Sequence, residues 1–282
     1  MAGASMNDIK ARIKSVSGTM QITKAMELVA ISKLRRAKEN VEHSRPFFEV
    51  LLGAIDQLRR AQDAKDTVWR TPKASGKTLL VVIAGDRGLA GGYNSNVFKH
   101  AAYLAAGTDA IILPVGKKAH DYYLHRGENV YSDIFSSVSE LGVSDSYSMA
   151  KIITEGYASG AYDKVTVVYT RFLSMMSQAV SHEDILPLAP IKSDEKTSAD
   201  PIFEGDVEEI LARIVPQYVG GVIYSAVCES LASEFSARRM SMNAANKNAQ
   251  EMIDSLMLGY NRARQAVITQ EITEIVSGAE AL

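Results

Sequence analysis

The residues best suited to chemistry in this chain lie between Gly85 and Asn94, in the order Gly-Asp-Arg-Gly-Leu-Ala-Gly-Gly-Tyr-Asn. They follow a run of apolar, largely β-branched residues, Thr78 to Ala84, and precede a helical stretch, the place where dinucleotide-binding folds hold a phosphate loop. The glycines are spaced G-x-x-G-x-x-G-G and not G-x-G-x-x-G, so the match to that loop is weak. The other reading is a tight turn whose glycines supply positive φ and close packing. Gly76-Lys77-Thr78 has the ending of a phosphate-binding P-loop, but position 71 is threonine and the tripeptide comes before its strand instead of after it. The histidines, His43, His100, His120, His125 and His182, show no metal-ligand spacing, and no G-x-S-x-G elbow is present. No catalytic residue, cofactor or metal site is therefore expected.

The elements around the loop read as an α/β domain. Apolar runs at Ala110–Val115 and Lys164–Thr170, a weaker one at Asn129–Phe135 and an antiparallel edge strand at Met176–Leu186 alternate with helical stretches at Ser95–Ala106, Lys117–Arg126 and Ser144–Ser159. That alternation predicts a Rossmann-like sheet of mostly parallel strands. Residues 63–76 and 187–201 read as polar connectors.

The two ends follow a different period. The last 66 residues, from Gln217, contain no proline, and buried-type positions step 4-3-4-3 through Leu231, Phe235, Arg238, Met242, Ala245, Ala249, Met252 and Leu256. The first 45 residues are also proline-free, with a seam of Ile9, Ile13, Val16, Met20 and Thr23, and Pro46 is expected to kink or break that helix. Both seams are marks of helices lying along one another. At 1.5 Å per residue the C-terminal helix would run about 100 Å, too long for a compact domain. The expected fold is α/β, with a long antiparallel coiled coil of terminal helices (1–62 and 206–282) interrupted by an inserted α/β domain (77–190).

Charge is uneven along this frame. Between Asp8 and Lys38 eight bases face two acids, although the whole chain has a net charge of −2. Such a helix is either a solvated basic face or a dock for something acidic. Without a second basic patch or a run of stacking aromatics, nucleic acid is not expected. Cys228 is the one cysteine, so internal disulfides and thiolate metal clusters are excluded. No run of about 18 apolar residues and no signal-peptide core are present, so direct membrane insertion is not expected. Near the C-terminus Thr269, Thr273, Ser277, Gly278 and Ala279 crowd small groups together. That composition suits a helix end inside a narrow sleeve, or a frayed tail.

Three segments carry a resemblance to a known family. Ile22-Thr-Lys-Ala-Met-Glu-Leu-Val-Ala-Ile-Ser-Lys-Leu-Arg-Arg-Ala37, the loop Gly85–Asn96 and Ala263–Ala279 (ARQAVITQEITEIVSGA) resemble the gamma subunit of F-type ATP synthases, and the order of elements matches over the whole chain. The resemblance implies a non-catalytic rotary shaft. It would stand in a ring of three alpha and three beta subunits, with the epsilon subunit and the c-subunit ring at its foot, on the cytoplasmic face of a bacterial inner membrane. It also implies roles for individual residues. Met26, Lys33 and Arg36 would face acidic loops of beta, while Arg238, Arg264, Gln265, Thr269 and Glu271 would meet collar loops higher in the ring. Phe203 and Glu204 would meet the c ring, although Phe-Glu-Gly stands where the family more often has tyrosine-glutamate-proline. Arg238 falls on a helix seam, where an unpaired charge is costly, so a carboxylate partner is expected. The competing readings are a nucleotide-binding α/β enzyme with helical oligomerisation arms and a plain coiled-coil scaffold.

Overall fold

A computed structural model describes residues 6–60, 67–71, 76–188 and 207–280. Nine elements follow in order: α1 (Met6–Arg60), β1 (Lys77–Ile83), α2 (Tyr93–Ala105), β2 (Asp109–Val115), α3 (Lys117–Arg126), α4 (Val143–Ala158), β3 (Lys164–Phe172), β4 (Gln178–Leu186) and α5 (Val207–Glu280). Contacts divide the chain into two units, Met1–Ala30 with Arg238–Leu282, and Ile31–Ala237.

The Ile31–Ala237 unit is built on a four-stranded sheet of order β2-β1-β3-β4. β1 pairs in parallel with β2 and β3, and β4 closes the edge antiparallel to β3. The β1 sequence TLLVVI is buried on both faces because helices cover both. Leu80, Val82, Ile112 and Val168 pack on one side against Val97, Phe98 and Ala101 of α2 and Tyr123 of α3. Leu79, Val81, Val167 and Ile185 pack on the other against Met149, Ile153 and Tyr157 of α4 and Leu211, Val215, Val219 and Ile223 of α5. Each such side chain taken out of water contributes about 1.5–3 kcal/mol before entropy is charged against it. Gly127, in the left-handed conformation with φ 65°, ends α3.

One expectation about this unit needs correction. The expected strand at Asn129–Phe135 does not form; a single parallel bridge, Ile112 to Val130, is all that remains of it. Its alternation is interrupted by Ser132 and Asp133 and it sits beside β2, so most of it runs as turn and coil leading to a short 3₁₀ turn, Val138–Glu140. α1 runs through Pro46 to Arg60, without the break that is one of the two outcomes expected there, and α5 includes Pro216.

The other unit pairs the start of α1 with the end of α5. Ile9, Ile13, Val16, Met20 and Thr23 are all half-buried, as their spacing predicts, and the seam continues through buried Glu27 and Ala30. On α5 the seam runs Arg238, Met242, Ala245 together with Asn246, Ala249, Ile253 and Leu256. The sequence placed Met252 on this line, but Met252 is 53% exposed and Ile253 takes its place. Asn246, which a purely apolar pattern passes over, joins the seam beside Ala245. α5 is long and apolar enough in composition to cross a membrane, but just over half of its most apolar stretch is buried within the chain.

Candidate partner-binding surfaces

The glycine loop is held by its own side chains. The Asp86 carboxylate accepts hydrogen bonds from the backbone N–H groups of Lys117 (3.1 Å), Val138 (2.9 Å) and Ser139 (2.9 Å), and from the hydroxyls of Ser137 (3.1 Å) and Ser139 (2.6 Å). Partial burial raises the pKa of this carboxyl, but the bonds from Ser139, Val138 and Lys117 outweigh that and hold it below its ordinary range. Gly85 N–H donates to Asn94 Oδ1 at 2.9 Å, and Asn94 Nδ2 donates to the Arg87 carbonyl at 3.3 Å. A side chain at Gly85 would collide with the Glu234 carboxylate, 2.7 Å away, and one at Gly116 (φ 96°) would press within 2.2 Å of the Ala84 carbonyl oxygen. The Asp86 carboxylate thus occupies the amide of Lys117 and the amides and hydroxyls of Ser137–Ser139, the donors that would otherwise draw an anion to this side of the loop. The close-packing reading of the glycines is the one the geometry supports.

β3 is fastened to the middle of α5 by a polar ladder within the same unit. Thr170 N–H donates to Ser230 Oγ (3.3 Å), Ser233 Oγ to the Thr170 carbonyl (3.1 Å), and Phe172 N–H to Glu229 Oε2 (3.2 Å). Tyr93 Oη donates to the Ser230 carbonyl (3.1 Å), and Ser236 Oγ to the Met175 carbonyl (2.6 Å). Small polar residues on α5 let the helix approach the strand closely.

In the coiled-coil unit Glu27 is 5% exposed. Its carboxylate accepts from Lys24 Nζ (3.0 Å), Asn243 Nδ2 (3.3 Å) and Asn246 Nδ2 (3.0 Å), and Thr23 Oγ1 donates to Asn246 Oδ1 (2.5 Å). The Lys24 hydrogen bond holds the Glu27 pKa below its ordinary value, against burial and with help from the two asparagines. Beside this network runs an open groove of about 640 Å³, lined by Met20, Lys24, Leu28, Asn243 and Lys247 among others.

The residues singled out from the sequence fall as follows. Met26 is half-buried and lies outside the groove lining. Lys33 and Arg36 are exposed, and the Lys33 ammonium sits 5.5 Å over the Phe235 ring. Arg238 is 7% exposed and is not without a partner. Arg264, Gln265, Thr269 and Glu271 are exposed on a helix that continues to Glu280, with Thr269 Oγ1 donating to the Gln265 carbonyl and Thr273 Oγ1 to the Thr269 carbonyl, both at 2.8 Å. Gln265 and Thr269 therefore lie on one side of α5. The same segment exposes Val267, Ile268, Ile272, Ile275 and Val276, an apolar surface unusual for a chain end. Phe203 and Glu204 lie outside the described residues. Sequence spacing missed Asp86, whose five donors come from two segments distant from it, Lys117 and Ser137–Ser139, and the pairing of His100 with His182, whose ring nitrogens are 3.0 Å apart.

The family model described as ATP synthase matches residues 5–282. A protein from Ruminococcus albus named ATP synthase gamma chain is 44% identical, covering 98% of this chain and 98% of its own length. A gamma chain from Geotalea daltonii is 39% identical with 99% of each chain covered, and the sodium ion specific gamma chain of Acetobacterium woodii is 37% identical with 98% of each covered. Among solved structures, a chain from the central stalk/c-ring of Tetrahymena thermophila mitochondrial ATP synthase is 26% identical at a TM-score of 0.59, covering 79% of this chain and 99% of that one. A chain from the OSCP/F1/c-ring of the Euglena gracilis mitochondrial enzyme shares the fold at 17% identity and a TM-score of 0.65, covering 98% of this chain and 94% of that one. The full-length agreement in sequence, together with a sheet inserted between two long terminal helices, places this chain in the ATP synthase gamma chain family.

Proposed function

We propose that this chain is the central rotor shaft of an F-type ATP synthase, carrying torque between a membrane c ring and the catalytic head. The end-to-end match to gamma chains carries this reading. As a member of that family the chain is a non-catalytic subunit of an ATP synthase. Its partners are three alpha and three beta subunits, an epsilon subunit and the c ring, and the assembly lies peripherally on the cytoplasmic face of a bacterial inner membrane.

The shaft acts by differential contact. A single asymmetric helix pair presents a different face to each of three catalytic sites, and turning it shifts which conformation each site favours. Met26, Lys33 and Arg36 engage the acidic loops of beta. Arg238, Arg264, Gln265, Thr269 and Glu271 engage the collar, and Phe203 and Glu204 engage the c ring. The exposure of Lys33, Arg36, Arg264 and Gln265 supports these roles, as does the apolar surface around Ile272 and Ile275, which suits a sleeve that excludes water. The proton is the proposed coupling ion. A sodium-specific relative aligns over its full length at a similar identity, so the choice of ion is not expected to reside in this chain.

Affinity purification of the tagged chain from its own cells tests the reading. The expected eluate holds two larger chains, each in threefold excess over this one, with ATPase activity. A lone chain, or a homo-oligomer without ATPase, overturns it. Pumping by inverted membrane vesicles in sodium-free buffer then tests the ion.

A further inference from the structure

His100 and His182 are 82 positions apart in sequence, yet α2 and the edge strand β4 bring Nε2 of the first within 3.0 Å of Nδ1 of the second. His182 occupies the register position opposite Val168, on the face covered by α2, and both rings reach the surface at the open edge of the sheet. Tyr103, one turn along α2, flanks the pair with its ring 6.5 Å from that of His100. Asp184, two residues along β4, lies close enough to interact with His182, and its oxygens are held by Lys164 Nζ (2.8 Å) and Thr166 Oγ1 (2.7 Å).

We propose that His100 and His182 form a bidentate site for a late divalent transition metal, Cu²⁺ or Ni²⁺, clamping the edge strand to α2. Two nitrogens 3.0 Å apart, each about 2.1 Å from a shared ion, subtend close to a right angle at the metal. That is the cis angle of square-planar and tetragonal centres, which imidazole nitrogens favour for Cu²⁺ and Ni²⁺; a tetrahedral ion such as Zn²⁺ needs a wider separation. No cluster of three or more His, Cys, Asp or Glu donors occurs among the described residues, so water completes the coordination shell.

Titration of the full chain, purified without a histidine tag, with Cu²⁺ alone decides the matter. One ion is expected to bind with a micromolar dissociation constant, raise the melting temperature and show two imidazole nitrogens in its paramagnetic resonance spectrum. His100→Gln and His182→Gln should each weaken binding by about tenfold or more, while His120→Gln leaves it unchanged. A spectrum with a single imidazole nitrogen overturns the site, as does affinity indifferent to either substitution. The spectrum is read on the unmodified chain, so a variant that folds poorly does not block the test.

Discussion

Asn246 on α5 donates an amide hydrogen to the Glu27 carboxylate on α1 at 3.0 Å, joining positions 219 residues apart in the chain. Its own carbonyl accepts from Thr23, so one asparagine meets two successive turns of the partner helix. An apolar seam alone tolerates a slip of one turn; a buried polar residue with fixed partners does not. Replacing Asn246 with leucine should leave the helices paired but lose their single axial register. The loss would appear as mixed cross-links between cysteines placed at Met20 and Ala249, where the unmodified chain gives one product.

Acid should weaken the same contact. Glu27 has a folded pKa below its ordinary value of 4.5. Its contribution is therefore complete above that value and is lost as pH falls through the folded pKa. Glu27→Gln should cost about 1 kcal/mol at pH 7 and flatten the decline in melting temperature below pH 4.5. An unchanged acid limb in the variant would remove Glu27 from the account.

Asp86→Ala leaves two serine hydroxyls and three backbone donors without their acceptor. A loss of about 2–4 kcal/mol is expected, measured by urea unfolding. ATP binding to the isolated chain should remain undetectable in both forms. Micromolar binding that Gly88→Val abolishes would revive the enzyme reading.

Gly116→Ala adds a methyl carbon 2.2 Å from the Ala84 carbonyl at a φ of 96°. Strain and collision together should cost at least about 2 kcal/mol, with much of the expressed chain insoluble. Gly107→Ala also sits at positive φ (81°) but meets open space, and should cost less.

Arg238 and Gln265, both assigned to the collar contact, should respond differently to replacement by alanine. Gln265 is exposed, so its removal should change stability by less than about 0.5 kcal/mol while lowering ATP synthesis in membrane vesicles. Arg238 is buried and engaged, so its removal should lower both melting temperature and synthesis. Normal synthesis by the Gln265 variant would take that residue out of the collar contact.

Much of this was legible in the primary structure because period and burial coincide. β1, β2 and β3 are apolar runs covered on both faces, and the α1 seam shows every predicted position protected from solvent. Legibility failed where packing overruled local preference. Asn246 joins the α5 seam beside Ala245, Ile253 replaces Met252, and Asn129–Phe135 lacks a second strand to complete a ladder. Asp86 and the His100–His182 pair stayed hidden for another reason. Their partners come from distant segments, and no local spacing encodes a contact made by topology.

The Asp86 contacts bear on how the loop could ever change its role. An acceptor tethered to its own donors acts as a competitor at very high effective concentration, and any free anion must outbid it from dilute solution. The Lys117 amide and the donors of Ser137–Ser139 are thus shielded from free phosphate and nucleotide, which would have to displace Asp86 to reach them.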